Sequence, residues 1–132
     1  MKKDIIIPVV KDVHIAIKHE WNDDFTSRDW MCYLINNGTL ALESVMVMTR
    51  GKDDTGRKTS TLRHAFPVVP AKKEEKIEPI MEDVFGFTNE FVLTYFIGDT
   101  LYDKVFTALP NTISEDAFVE LPVSHDDGVL VG

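Results

Sequence analysis

The stretch Gly51-Lys52-Asp53-Asp54-Thr55-Gly56-Arg57-Lys58-Thr59-Ser60 gathers glycines, cations and hydroxyls in the manner of a phosphate-binding loop. Such a loop needs Gly, four residues, Gly, then Lys and Ser/Thr directly, opening a helix whose amides and dipole hold the anion. Here Arg57 separates Gly56 from Lys58. The adjoining stretch, Thr59–Phe66, is rich in β-branched residues and reads as a strand. The segment is therefore expected to be a polar loop joining two strands.

The same neighbourhood is the most basic window of the chain. Arg50, Lys52, Arg57, Lys58 and Arg63, with His64 beside them, stand against Asp53 and Asp54, a local charge of +3 in a chain of net −8. These six residues are the candidate binding site, for a phosphate, an acidic peptide or an RNA backbone. Readers of single-stranded nucleic acid interleave aromatic side chains with the basic ones, and this window has only Phe66 at its end. A solvated loop, or charge pairing with acidic residues of the chain itself, is the plainer reading of the same pattern.

Other chemistry finds no constellation. His14 and His19 are five residues apart, which on a strand places them on opposite faces. His64 and His125 are remote, so no recognised metal-ligand spacing is present. The doublets Asp23-Asp24, Asp53-Asp54 and Asp126-Asp127 do not fit a calcium loop. Ser60 and His64 share a face of the expected strand but lie roughly 13 Å apart at strand rise, too far for proton transfer. Cys32 sits in an apolar strand and is expected to behave as a small buried hydrophobe. No catalytic residue, metal or cofactor is expected.

The elements that must position these residues are strands. Val13, Ile15, Ile17 and Trp21 alternate with His14, Ala16, Lys18 and Glu20, a strand with one wet face. Phe91, Leu93, Tyr95 and Ile97 alternate with Val92, Thr94 and Phe96, which predicts a strand covered on both faces. Asn36–Thr39 and Gly98-Asp99 read as tight hairpin turns. Residues 59–66 and 75–81 read as further strands, Pro79 marking an edge strand or a strand end, and Phe85-Gly86-Phe87 as a short strand or bulge. The one helical turn is expected at Glu115–Val119, capped by Ser114. One or both of Trp21 and Trp30 are expected to pin two sheets together, Trp30 sharing an inner face with Cys32 and Leu34, whereas an exposed tryptophan would suggest a binding anchor. The sum is an all-β, antiparallel, immunoglobulin-like sandwich of seven or eight strands, one domain over residues 1–132.

Size and charge narrow the setting. At 132 residues the chain can bury a real core. Residues 1–76 hold 13 Lys/Arg against 11 Asp/Glu, and residues 77–132 hold one lysine against 11 acids, sums of +2 and −10. So acidic a half opposes nucleic-acid binding by the surface as a whole. No apolar run is long enough to span a bilayer. Met1–Pro8 is too interrupted for a secretory signal, and a single cysteine forms no internal disulfide. The expected location is the cytoplasm, with no membrane association.

Trp30-Met31-Cys32-Tyr33-Leu34-Ile35-Asn36-Asn37-Gly38-Thr39, with Leu42–Met48 after it, resembles an element of immunoglobulin-like sandwiches, without the paired cysteines of antibody domains. Glu20-Trp21-Asn22, Trp30–Asn36 and Lys58-Thr59-Ser60-Thr61-Leu62-Arg63-His64 are similar to a family of small bacterial proteins often labelled phenylalanyl-tRNA synthetase alpha subunit. The chain carries none of the motifs of a class II synthetase. The resemblance therefore implies an association with RNA and not aminoacylation. The leading functional expectation is a non-catalytic binding or assembly module that meets a protein partner or its own copy. The alternative is an RNA- or tRNA-associated accessory protein using Arg50–Arg63.

Overall fold

The computed structural model of the chain describes residues 8–132; the reading of Met1–Ile7 as unlike a secretory signal lies outside them. Nine strands follow one another. They are β1 (Val13–Trp21), β2 (Arg28–Asn36), β3 (Leu42–Lys52), β4 (Leu62–Val69), β5 (Lys73–Pro79), β6 (Thr88–Ile97), β7 (Thr100–Ala108), the two-residue β8 (Val119–Glu120) and β9 (Asp127–Val131). All pairings are antiparallel, in two sheets ordered β5-β2-β1-β9-β8 and β4-β3-β6-β7. The chain is thus an all-β antiparallel sandwich, with one more strand than expected because β8 is so short. No helix among the described residues is long and apolar enough to cross a membrane.

Alternation builds the core. Val13, Ile15 and Ile17 of β1 and Trp30, Cys32 and Leu34 of β2 face Val45 and Val47 of β3 and Phe91, Leu93 and Tyr95 of β6 in one buried cluster. Trp30 occupies one end of it, stacked on His19 with ring centroids 4.1 Å apart and meeting Phe85 and Phe118 edge-on. Trp21 does not join it. At the end of β1 it is 56% exposed, so only one of the two tryptophans spans the layers.

The connections depart from the sequence pattern in places. Gly98-Asp99 closes the β6–β7 hairpin, Gly98 at φ 58° supplying the left-handed conformation the tight turn needs. Asn36–Thr39 is not a hairpin, because β2 and β3 belong to different sheets and the segment crosses between them. Buried Asn36 fixes the crossing. Its amide donates to the carbonyls of Leu40, Val69 and Pro70 at 3.0, 3.1 and 3.1 Å, while Oδ1 accepts from the Gly38 N–H at 3.0 Å. A buried side chain with such partners is worth more as a corner than an exposed turn residue would be. Pro79 ends β5, an edge strand, as expected. Phe85-Gly86-Phe87 forms no strand; it comes after a turn of 3₁₀ helix at Glu82–Val84. The C-terminal turn forms at Glu115–Ala117, with Ser114 Oγ accepting from the Asp116 N–H at 3.1 Å.

The larger correction concerns the outer face of the first sheet, expected to be wet. The C-terminal segment folds across it, and Leu121 is buried against Ala16, Tyr33 and Ile35, with Met31 and Val123 alongside. Gly128 permits this close approach, since a Cβ there would lie 2.6 Å from Leu121 Cδ1 and 2.9 Å from the Ile17 carbonyl oxygen. Lys18, also on this face, is buried and held between Glu74 Oε2 at 2.8 Å and Asp126 Oδ2 at 2.9 Å. Burial alone would lower its pKa, but the hydrogen bonds and charges of Glu74 and Asp126 outweigh this and raise it. Its contribution is therefore complete below the ordinary lysine range and lost only under strongly alkaline conditions.

Removing the indole of Trp30 leaves a cavity at the end of the core. Trp30→Ala should cost about 3–5 kcal/mol in a urea titration. Trp21→Ala should stay within about 0.5 kcal/mol of the wild type. Equal midpoints for the two variants would contradict this placement.

Candidate binding surfaces

The six basic-window residues are placed by the end of β3, the loop after it, and β4. The loop is held from both sides. Thr59 Oγ1 accepts from the Gly51 N–H at 2.7 Å, and Lys52 and Lys58 form a bridge between the two arms. Gly51 is needed here, because a Cβ would come 2.8 Å from Asn89 Oδ1. At the tip, the Asp53 carboxylate accepts from the Thr55 N–H and hydroxyl at 3.0 and 2.7 Å, and from the Arg57 N–H and Nε at 2.8 and 2.6 Å. Partial burial opposes its charge, but these hydrogen bonds prevail and hold the carboxyl at about 2. A carboxyl depressed in the folded state stabilises the loop above the ordinary Asp range, and that contribution is lost as pH falls toward 2.

The window consequently divides. Arg50, Lys52 and Lys58 line one groove of about 410 Å³ with Gly51, Thr59, Thr61 and Glu90. Within it Arg50 Nε donates to Glu90 at 2.9 Å. Arg57 is bound to Asp53, its guanidinium 5.6 Å from the Phe87 ring centroid. Arg63 lies on the outer face of β4, opposite Met48. His64 points the other way, into the seam between β4 and β5, where Nε2 meets Glu78 Oε1 at 2.7 Å. Thr49 Oγ1 donates to that same oxygen at 2.7 Å. The hydroxyl therefore bonds the carboxylate and not the imidazole, so the three do not form a base-activated nucleophile.

Cys32 and Glu78 line a cleft of about 190 Å³ at that seam. Burial, and secondarily the charge of Glu78, pushes the Cys32 thiol well above its ordinary range. That state is inert as a nucleophile or metal ligand. Among the described residues no group of three or more His, Cys, Asp or Glu is placed to hold a metal ion.

A different surface is not evident from the sequence. The register of the β4-β3-β6-β7 sheet sets three rows on its outer face: Arg63–Met48–Val92–Val105, Ala65–Met46–Thr94–Asp103, and Val68–Glu43–Phe96–Leu101. No segment among the described residues covers them. Met46, Phe96, Val68, Leu101 and Val105 are 40, 37, 49, 49 and 48% exposed. Contiguous apolar side chains on this scale mark interaction sites, whereas scattered ones do not. The one sequence signal is β6, apolar on both faces, which implies two covers; the described residues supply one.

Comparisons of the chain with protein-family models, with curated proteins and with solved structures find no match. The site must be judged from its own geometry.

Asp53 organises the loop by itself, so Asp53→Ala should release the Thr55 and Arg57 amides to fast hydrogen exchange and leave the urea midpoint nearly unmoved. A carboxyl NMR titration of the wild type should place Asp53 at about 2. A value in the ordinary Asp range would contradict the loop geometry.

Proposed function

We propose that this chain is a non-catalytic binding and assembly module, and that its docking surface is the outer face of the β4-β3-β6-β7 sheet. The observation that carries the reading is the unequal treatment of two similar faces. The first sheet's outer face is covered by the chain's own Leu121 and Val123. The second sheet's outer face, with Met46, Val68, Phe96, Leu101 and Val105 exposed, has no such cover among the described residues. An apolar surface of this kind gains by leaving water, and another polypeptide supplies the missing cover.

The strand order supports an immunoglobulin-like reading of the architecture. β1, β2 and β5 in one sheet and β3, β6 and β7 in the other correspond to the A, B, E and C, F, G strands of such sandwiches. β4 stands beside β3, as an additional strand does in variable-type domains, while β8 and β9 extend the opposite sheet. In this reading the open face is the one built on the C, F and G strands.

A second reading has its own observation, the convergence of Arg50, Lys52 and Lys58 on one groove with the hydroxyls of Thr59 and Thr61. Such a groove suits a phosphate of an RNA backbone. Glu90 already takes up part of the Arg50 charge, and this subordinates it to the first reading. Binding to labelled single-stranded RNA should be weak and salt-dependent, and should disappear in the Lys52→Ala, Lys58→Ala double variant. Binding that survives the double substitution would rule the groove out as the RNA site.

A photocrosslinking benzoylphenylalanine in place of Phe96 tests the main proposal in living cells. It should yield discrete protein adducts, whereas the same group in place of exposed Val119 on the first sheet should not. No adduct from position 96, or equal adducts from both positions, would overturn the docking surface.

A further inference from the structure

We infer that the occupant of this open face is a second copy of the same chain, stacked sheet on sheet about a two-fold axis parallel to the strands. The inference rests on the docking reading and adds the identity of the partner.

Charge is the first argument. A net charge of −8 makes two copies repel each other. The three apolar rows are an exception to that acidity, since their only charged members are Arg63, Glu43 and Asp103. Two copies meeting here bring little like charge together.

The placement of those charges is the second argument. Arg63 stands on the β4 margin and Asp103 on the β7 margin, one row apart. A two-fold axis along the strands lays β4 of one copy over β7 of the other and β3 over β6. Arg63 then lies diagonally from Asp103 of the second copy, and symmetry makes the contact twice. With sheets about 10 Å apart and rows about 7 Å apart, the two backbones are roughly 12 Å from each other, a span that an extended arginine and an aspartate bridge. Met48 then covers Val92, Val68 covers Leu101, and Glu43, in the last of the three rows, comes over Phe96. A two-fold axis across the strands would instead map the middle row on itself and lay Asp103 over Asp103 of the second copy, setting like charges face to face.

Area agrees with a reversible contact. Four strands and three rows span roughly 19 by 20 Å, about 400 Å² per copy or about 800 Å² for the pair, the range of weak, transient contacts rather than of stable interfaces. The expected product is a weak dimer, populated at high protein concentration.

Sedimentation velocity over a wide concentration range is the test. The wild type should pass from monomer to dimer as concentration rises. Met46→Glu and Arg63→Asp should each raise the dissociation constant at least tenfold. The double variant Arg63→Asp, Asp103→Arg should recover most of the loss, which a merely misfolded variant would not do. A wild type that remains monomeric throughout, or a dimer indifferent to Met46→Glu and to the charge exchange, overturns the inference. Monomeric protein whose position 96 still crosslinks to another polypeptide overturns self-pairing alone; monomeric protein without crosslinks overturns the docking reading as well.

Discussion

Side chains of a strand alternate between its two faces, so a strand that is apolar on both faces needs a cover on each. Two sheets packed together provide the inner cover for every strand in this sandwich. The outer covers must come from elsewhere, and much of the architecture depends on where they are found. For β1 and β2 the cover is the C-terminal segment, which lays Leu121 on Ala16, Tyr33 and Ile35. Lys18 ties that segment down, joining Asp126 near the C-terminus to Glu74 of β5. Its amine also sits 4.2 Å from the Tyr33 ring centroid, whose hydroxyl in turn donates to Glu20 at 2.6 Å. An ammonium buried to this degree is tolerated only because its partners surround it; removal of one would leave a charge in an apolar layer. The outer face of the second sheet has no comparable cover among the described residues.

The basic window illustrates how a surface charge pattern is consumed by structure. Five cations in a short stretch suggest a field that attracts anions, but folding pairs two of them locally and turns the neighbouring histidine inward. Arg57 is committed to Asp53 and Arg50 to Glu90, and His64 meets Glu78 inside the seam. Arg63 is carried onto the apolar face, where its position relative to Asp103 matters more than its proximity in sequence to the loop. A run of cations is thus a set of separate devices here: a loop staple, a strand-to-strand pair and a margin charge.

The fold class was legible because period-2 patterning and the Gly98-Asp99 turn depend on local chemistry. The inner face of Trp30 was legible for the same reason, through its alternation with Cys32 and Leu34. What escaped were decisions made by tertiary partners. Asn36–Thr39 has the residues of a hairpin, yet Asn36 found carbonyls at Val69 and Pro70, more than thirty positions away, and became a crossing between sheets. β1 reads as half wet because nothing near it announces that Leu121 will lie upon Ala16. Trp21 reads as core by type alone, while its position at the end of β1 leaves it in solvent. The candidate face shows both sides of the matter. The need for a cover on β6 was visible in Val92 and Phe96, but the rows they form with Met48, Val105 and Leu101 require the register of four strands.

The central claim is that a second copy of the chain covers this open face. Methionine oxidation under hydroxyl-radical footprinting reads it directly, because Met46 and Met48 lie on the face and Met81 lies outside it, 65% exposed. As protein concentration is raised, oxidation of Met46 and Met48 should fall relative to Met81, with Met81 as the internal standard. The claim is contradicted if all three oxidise in the same proportion at every concentration.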